Sequence, residues 1–229
     1  AIDRILAVDL LSPIDVPAAD NSAMDGFAFD GKCLNTTSPT ISLRIVGTAF
    51  AGKPYDGKIG SGECLKIMTG AVMPAGCDTV IPQEFTTTKD ELTIEFKQDQ
   101  LKLGENRRLR GEDLQQGKPA IAAGRLLRPS DLGLAASLGI ATLQVKRKLK
   151  VAILSSGDEL RSLGQALDAG SIYDSNRYSL TGLLNRLNLE IIDCGIVRDD
   201  PASLKQAFIE AANKADVLIS SGGVSVGEA

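Results

Sequence analysis

The chain has 229 residues, 43% of them hydrophobic, with a net charge of −4 and a sequence pI near 5.0. That is enough apolar content to build a core in more than one compact unit, and it excludes a predominantly disordered chain. Acids and bases are interspersed, so no basic face suits nucleic acid or a membrane surface, and neither a run of roughly 18 apolar residues nor a signal-peptide pattern is present. His is absent, which excludes Ser-His-Asp and Cys-His nucleophile systems and His-ligated zinc, leaving carboxylates, hydroxyls, Lys, Arg or a hard metal to carry any chemistry.

In chain order, residues 1–20 open on an apolar, helix-like stretch (Ile5, Leu6, Val8) and pass through Pro13 and Pro17, which break any helix and make this a connector. From Asn21 to Gly104 the pattern changes to short β-type runs: ISLRIVG (41–47), CLKIMTG (64–70), DTVIPQE (78–84) and LTIEF (92–96), separated by Gly, Pro and Asp turns. Residues 21–104 are therefore expected to form a small β-rich domain. The charged NRRLRGEDLQQG (106–117) lacks clear periodicity, and its Arg107, Arg108 and Arg110 beside Glu112 and Asp113 favour a solvated salt-bridge network. A helix at 131–138, capped by Ser130 and ended by Gly139, follows. Residues 105–147 are expected to join 1–20 in a discontinuous connecting domain.

A basic interruption, KRKLK (146–150), marks a domain start near Lys148. Beyond it, VAILSSGDEL (151–160), IIDCGIVRDD (191–200) and DVLISSGGVSVGEA (216–229) read as strands. Leu180, Leu183, Leu184 and Leu187 give the first intervening helix an apolar face, and Asp200-Pro201 starts a second, faced by Leu204, Ala207, Phe208, Ala211 and Ala212. Strand, helix, strand, helix, strand predicts a parallel sheet, whose ligands bind outside the carboxyl ends of the strands.

Those ends carry the candidate site residues. Gly157, Asp158 and Glu159 come from SSGDEL, and Asp199 and Asp200 come from RDDP, where Asp200 serves as a helix cap. Ser221, Gly222, Gly223, Ser225 and Gly227 come from a Ser/Gly loop that would let backbone N–H groups approach an anion. Asp174, Ser175 and Asn176 precede the leucine-faced helix. One of them caps it, and the other two are free to contact a heterocycle or ribose. Glu159 and Asp199, if both reach the sheet's edge, would hold Mg²⁺, a hard oxygen-seeking cation. From local sequence Asp25 reads as a turn residue, and Thr69 as either a turn hydroxyl or an anion contact. The four Cys (33, 64, 77, 194) lack CxxC spacing and read as buried free thiols in a reducing cytosol. The Ala1 start and the finish in a loop just after a strand are read as a fragment truncated at both ends.

Taken together, DNSAMDGFAF, IMTGAVMPAGCDTVIPQE, RGED, ASLG, VAILSSGDEL, IYDSNR, RDDP and SSGGVSVGEA, in this order over essentially the whole chain, resemble the MoeA-type molybdopterin molybdenumtransferase family, which is similar to the C-terminal domain of gephyrin. The resemblance implies an elongated, multidomain chain combining α/β and mostly-β parts: a small β-rich domain, the connecting domain, and residues 148–229 as the first part of a three-layer α/β molybdopterin-binding domain with parallel strands. It implies a cytoplasmic homodimer that inserts molybdenum from molybdate into adenylylated molybdopterin with Mg²⁺ and releases AMP. It also makes an upstream adenylyltransferase a candidate partner.

By the same resemblance, Asp25, Thr69, Asp113, Glu159 and Asp199 are carried over as catalytic residues, acting across two subunits, while SGGVSVG cradles pterin or phosphate. Family members continue past residue 229, so this chain alone is expected to be inactive. Two alternatives stand beside this one. A molybdopterin adenylyltransferase-like protein is opposed by residues 1–147, and a non-catalytic gephyrin-like scaffold has no dedicated motif here.

Overall fold

The computed structural model describes residues 1–222, and the chain divides into two compact units, one of residues 9–122 and one joining residues 1–8 to the chain from 123 onward.

The first unit is built on a six-stranded mixed sheet: β1 (Gly26–Phe29), β2 (Thr40–Ala49), β3 (Glu63–Ile67), β4 (Thr79–Pro82), β5 (Thr87–Asp90) and β6 (Thr93–Lys97), in the spatial order β4-β1-β3-β2-β6-β5. Successive side chains of a strand point to opposite faces, so Phe27 and Phe29 join one core with Ile81, Ile94 and Phe96, while Ala28 joins another with Leu65, Ile67 and Val80. Both faces of the sheet's centre are therefore dry. All the strand runs expected from sequence are present, but β2 is longer than ISLRIVG and pairs parallel with β3, and DTVIPQE ends its strand at Pro82 and closes in a 3₁₀ turn. Two short ladders tie the unit's ends, Leu10–Leu11 against Pro119–Ile121 and Asn21–Ser22 against Arg107–Arg108.

In the second unit, the N-terminal residues read as helix-like are extended instead. Ile5 bridges Leu126, Leu6 bridges Val145, and the N–H groups of Leu6 and Ala7 donate to Arg125 and Gln144 at 2.9 and 2.8 Å. Buried Leu6 gains more from this pairing than from a local helix, which Pro13 would in any case cut short. The expected helix is α1 (Pro129–Ser137). Its cap is not Ser130, which lies inside the helix; Asp131 reaches back to the Arg128 N–H at 2.8 Å, and Pro129 opens the first turn. Gly139, at φ +73°, ends it as expected.

The α/β part comprises β7 (Lys150–Ser156), β8 (Leu160–Arg161), β9 (Ile172–Tyr173), α2 (Ser175–Asn185), β10 (Glu190–Val197), α3 (Pro201–Lys214) and β11 (Val217–Ser221). β10, β7 and β11 form a parallel sheet in that order, with Val151 opposite both Ile191 and Val217. β7 is central and buried from Val151 to Ser156, each large apolar side chain contributing about 1.5–3 kcal/mol. Arg147 clamps its start to that of β11 through a two-pronged ion pair with Asp216; the guanidinium and the Lys150 N–H hold the Asp216 carboxyl far below the usual carboxylate range.

The chain runs from central β7 through α2 to one neighbour, then through α3 to the other. The right-handed crossover rule therefore places the two helices on opposite faces and makes the end of β7 a topological switch point. Asp200 caps α3 as expected, accepting from the Ala202 and Ser203 N–H groups. The leucine face of α2 differs from expectation: Leu183 is exposed, Leu187 lies beyond the helix end, and the residue the helix buries is Arg177.

Candidate functional site

β7, β10 and β11 run parallel, so their carboxyl ends lie at one edge: Ser156 is level with Val197, and Ser155 with Ser221. Two glycines there permit close approaches that no other residue allows. Gly222, at φ +106°, presses its backbone on the Ser156 carbonyl, and an added Cβ would lie 2.2 Å from that oxygen. Gly157, at φ +150°, lets the Glu159 carboxylate fold back over the loop, and a Cβ there would lie 2.6 Å from Oε2.

Between the ends of β7 and β11 is a cavity of about 150 Å³ lined by Ser156, Glu159, Asp174, Ser175, Asn176, Ser221 and Gly222, with Leu160, Ile172 and Tyr173 forming its apolar wall. Asn176 Nδ2 donates to Ser221 Oγ at 3.0 Å, joining the start of α2 to the end of β11. Asp174 is the residue that caps α2, its Oδ1 accepting from the Arg177 N–H at 3.2 Å. The Asp174 carboxylate is 2% exposed; its Oδ2 sits 3.2 Å from Arg177 Nε, and Arg177 reaches on to Asp193 in β10 at 3.1 Å. Among the described residues, carboxylates, hydroxyls and an amide thus line the cavity and no cation does, which suits a ligand that presents N–H or O–H donors.

On the other flank of β7, a larger cavity of about 480 Å³ is lined by Gly157, Asp158, Leu160, Arg161, Ile196, Val197 and Arg198. Asp158 accepts from the Asp199 N–H at 3.4 Å, so the SSGDEL and RDDP loops meet as expected. Gly223, Ser225 and Gly227 lie outside the described residues. Sequence reasoning passed over Arg161 and Arg198, although Arg198 immediately follows β10 and the strand-end rule that selected Asp199 selects it too.

The remaining candidates lie in the first unit. Asp25 Oδ1 accepts from both the Thr69 backbone N–H and the Thr69 hydroxyl, each at 2.7 Å, pairing residues 44 apart in sequence. The Thr69 N–H, and after it the hydroxyl, holds the Asp25 carboxyl below its ordinary range, so this exposed group is ionised at neutral pH. Asp113 and Glu112 are both ion-paired to Arg108, as read from sequence, whereas Arg110 pairs with Asp15 and Arg107 with Asp20, both outside the segment. Cys33, Cys64, Cys77 and Cys194 are free, but Cys64 alone is fully buried; burial pushes the Cys64 thiol up to about 12. Among the described residues, no group of three or more His, Cys, Asp or Glu is placed to hold a metal ion, and no helix is long and apolar enough to cross a membrane.

Residues 1–139 match the family described as the MoeA N-terminal region (domain I and II), and residues 152–229 match a probable molybdopterin binding domain. The whole chain is 45% identical to a Haemophilus influenzae protein named molybdopterin molybdenumtransferase, of which it covers 56%. It is also 40% identical over 228 residues to a Nostoc protein of the same name, of which it covers 52%. It therefore spans about half the length of these curated relatives. A molybdopterin biosynthesis MoeA protein from Pyrococcus horikoshii superposes with a TM-score of 0.86 at 29% identity over 98% of this chain and 60% of that one; a second structure of such a protein gives 0.81 at 34% identity, over 97% and 57%. The match to the MoeA N-terminal region extends over more than half of the chain, and the chain belongs to the MoeA family.

Proposed function

We infer that the protein of which these residues form a part inserts molybdenum from molybdate into adenylylated molybdopterin with release of AMP. The observation that carries this reading is 45% identity, without a break in coverage, to a protein named for that transferase activity. The switch-point cavity supports it, because a donor-bearing heterocycle such as a pterin matches the acceptor-rich lining between β7 and β11. The match of residues 1–139 to the MoeA N-terminal region disfavours an adenylyltransferase-like reading, and supports the division into a connecting domain (1–20 with 105–147), a β-rich domain (21–104) and a molybdopterin-binding domain from 148.

In this reading Asp174, Ser175, Asn176 and Ser221 orient the ligand, with the Ser/Gly loop through Gly223, Ser225 and Gly227 completing the cradle. Glu159 and Asp199 are two oxygen donors on neighbouring loops, and two carboxylates completed by water and substrate oxygens match the way Mg²⁺ is commonly held. Mg²⁺ bound there would offset negative charge on the substrate phosphate and on molybdate. Asp25, kept ionised by Thr69, and Asp113, oriented by Arg108, are proposed to act from the first unit of a partner subunit in a cytoplasmic homodimer, supplied by an upstream adenylyltransferase.

The test is AMP release from adenylylated molybdopterin by a protein of the relatives' full length carrying this sequence. Release that needs both molybdate and Mg²⁺, and that falls in Asp25→Ala with the fold intact, is the expected result. Release indifferent to molybdate would overturn the assignment.

A further inference from the structure

We propose that the larger cavity, between the carboxyl ends of β7 and β10, is a phosphate subsite separate from the heterocycle cavity, with Arg161 and Arg198 as its anion-binding groups. The proposal rests on the molybdopterin reading above and adds to it by dividing the ligand between two chemically opposite pockets. Among the described residues, the cavity between β7 and β11 is lined by two carboxylates and by no cationic side chain, so without a metal ion a phosphate entering it would be repelled. Across the end of β7 the lining changes: two arginines line the cavity of about 480 Å³, and among the described residues Asp158 is its one acidic lining residue. Leu160 lines both cavities, so they adjoin, and a ligand with a donor-rich ring at one end and a phosphate at the other can span them.

The two arginines are differently prepared for an anion. Arg161 is pre-positioned: its Nη1 donates to the Asp158 and Leu160 carbonyls at 2.8 and 2.9 Å, and its Nη2 reaches Asp168 at 3.3 Å. Asp168 is 75% exposed, and a pair so open to water is weak, so a phosphate oxygen can take its place at little cost. Arg198 is in no hydrogen bond or close ion pair among the described residues, although its charge helps to lower the Asp200 carboxyl, so its fork of donors is open to a ligand. The Asp199 N–H is directed at Asp158 Oδ1, which satisfies part of the acidic charge that an incoming anion would otherwise meet.

The experiment is calorimetric titration of this chain with AMP, inorganic phosphate and adenosine, in the parent and in Arg198→Gln. Because the interaction of Arg198 with Asp200 is electrostatic and solvent-exposed, its replacement should move the thermal transition little. AMP and phosphate are expected to bind about tenfold or more weakly to the variant, as loss of a charge-assisted hydrogen bond dictates, with adenosine unchanged and Arg198→Lys recovering part of the loss. Rising salt should weaken AMP binding in the parent more than in the variant. Equal AMP affinity in parent and variant, equal losses for AMP and adenosine, or no AMP binding by the parent at millimolar concentration would each overturn the subsite. Molybdenum transfer is not read in this titration. Arg198-dependent AMP binding in a protein that fails to transfer molybdenum would therefore sustain the subsite and sink the transferase reading; transfer without that dependence would do the reverse.

Discussion

Replacing Arg177 by Ala should destabilise the α/β part of the chain far more than replacing its second partner, Asp193. Arg177 is the residue α2 buries, its side chain 10% exposed, and it lies between the 2%-exposed carboxylate of Asp174 and the 53%-exposed carboxylate of Asp193. Removing the guanidinium leaves the Asp174 charge buried with no counter-ion, a change that costs about 3–5 kcal/mol. Removing Asp193 leaves Arg177 paired with Asp174, and a half-exposed partner is worth about 1 kcal/mol or less. Since each 1.4 kcal/mol is a factor of ten, hydrogen exchange of the β7 amides Val151 to Leu154 should accelerate roughly 100-fold or more in Arg177→Ala and about fivefold or less in Asp193→Ala. Amide exchange reports on this unit alone, which a whole-chain melting curve does not. Equal acceleration in the two variants would refute the claim that the buried Asp174 carboxylate sets the cost.

Two further outcomes follow from the first unit. The Asp25 carboxyl is depressed chiefly by the Thr69 backbone N–H, so its contribution is present above the ordinary carboxyl value of 3.8 and is lost as pH falls through the lower folded value. Thr69→Val removes the hydroxyl donor and keeps the backbone donor, so an NMR titration of the Asp25 carboxyl should move only part of the way back; a midpoint at or above 3.8 would contradict the geometry. Cys64, fully buried with its thiol pushed up to about 12, should resist alkylation near pH 8 in the native chain and react in urea, and native labelling at the rate of an exposed thiol would show that the core opens.

What the sequence made legible is what local chemistry decides. Asp200-Pro201 starts α3 because a short carboxylate and a fixed φ suit those two positions, and the Val/Ile runs of β7 and β10 read as strands because both of their faces are covered or half-covered. Less legible were features settled by distant partners. Ile5 and Leu6 are held extended by residues more than 115 positions away, which no local window contains. The parallel pairing of β2 with β3 depends on a crossover and not on any turn signal. Asp131, not Ser130, caps α1 because Pro129 shifts the helix start back and puts the carboxylate at the third position. At the site, periodicity and the strand-end rule pointed to Glu159, Asp199 and Ser221. By local sequence Asp25 read as a turn residue and Thr69 as a turn hydroxyl or an anion contact, and the family resemblance carried both over as catalytic residues without pairing them; the hydrogen bonds that join them are a tertiary fact. Arg177 was not singled out from sequence, since a buried guanidinium is betrayed only by the carboxylates the fold brings to it.

The central claim is that the ligand docks at the carboxyl ends of β7, β10 and β11. Amide-resolved chemical-shift mapping of this chain during titration with adenylylated molybdopterin, and separately with a phosphate-free pterin, tests it most directly. The account predicts the largest changes at Ser155 to Glu159, Asp174 to Asn176 and Ser221 to Gly222, with a second group at Arg161 and Arg198 only when the phosphate is present. Changes confined to the six-stranded sheet of the other unit, with these strand ends unmoved, would contradict it.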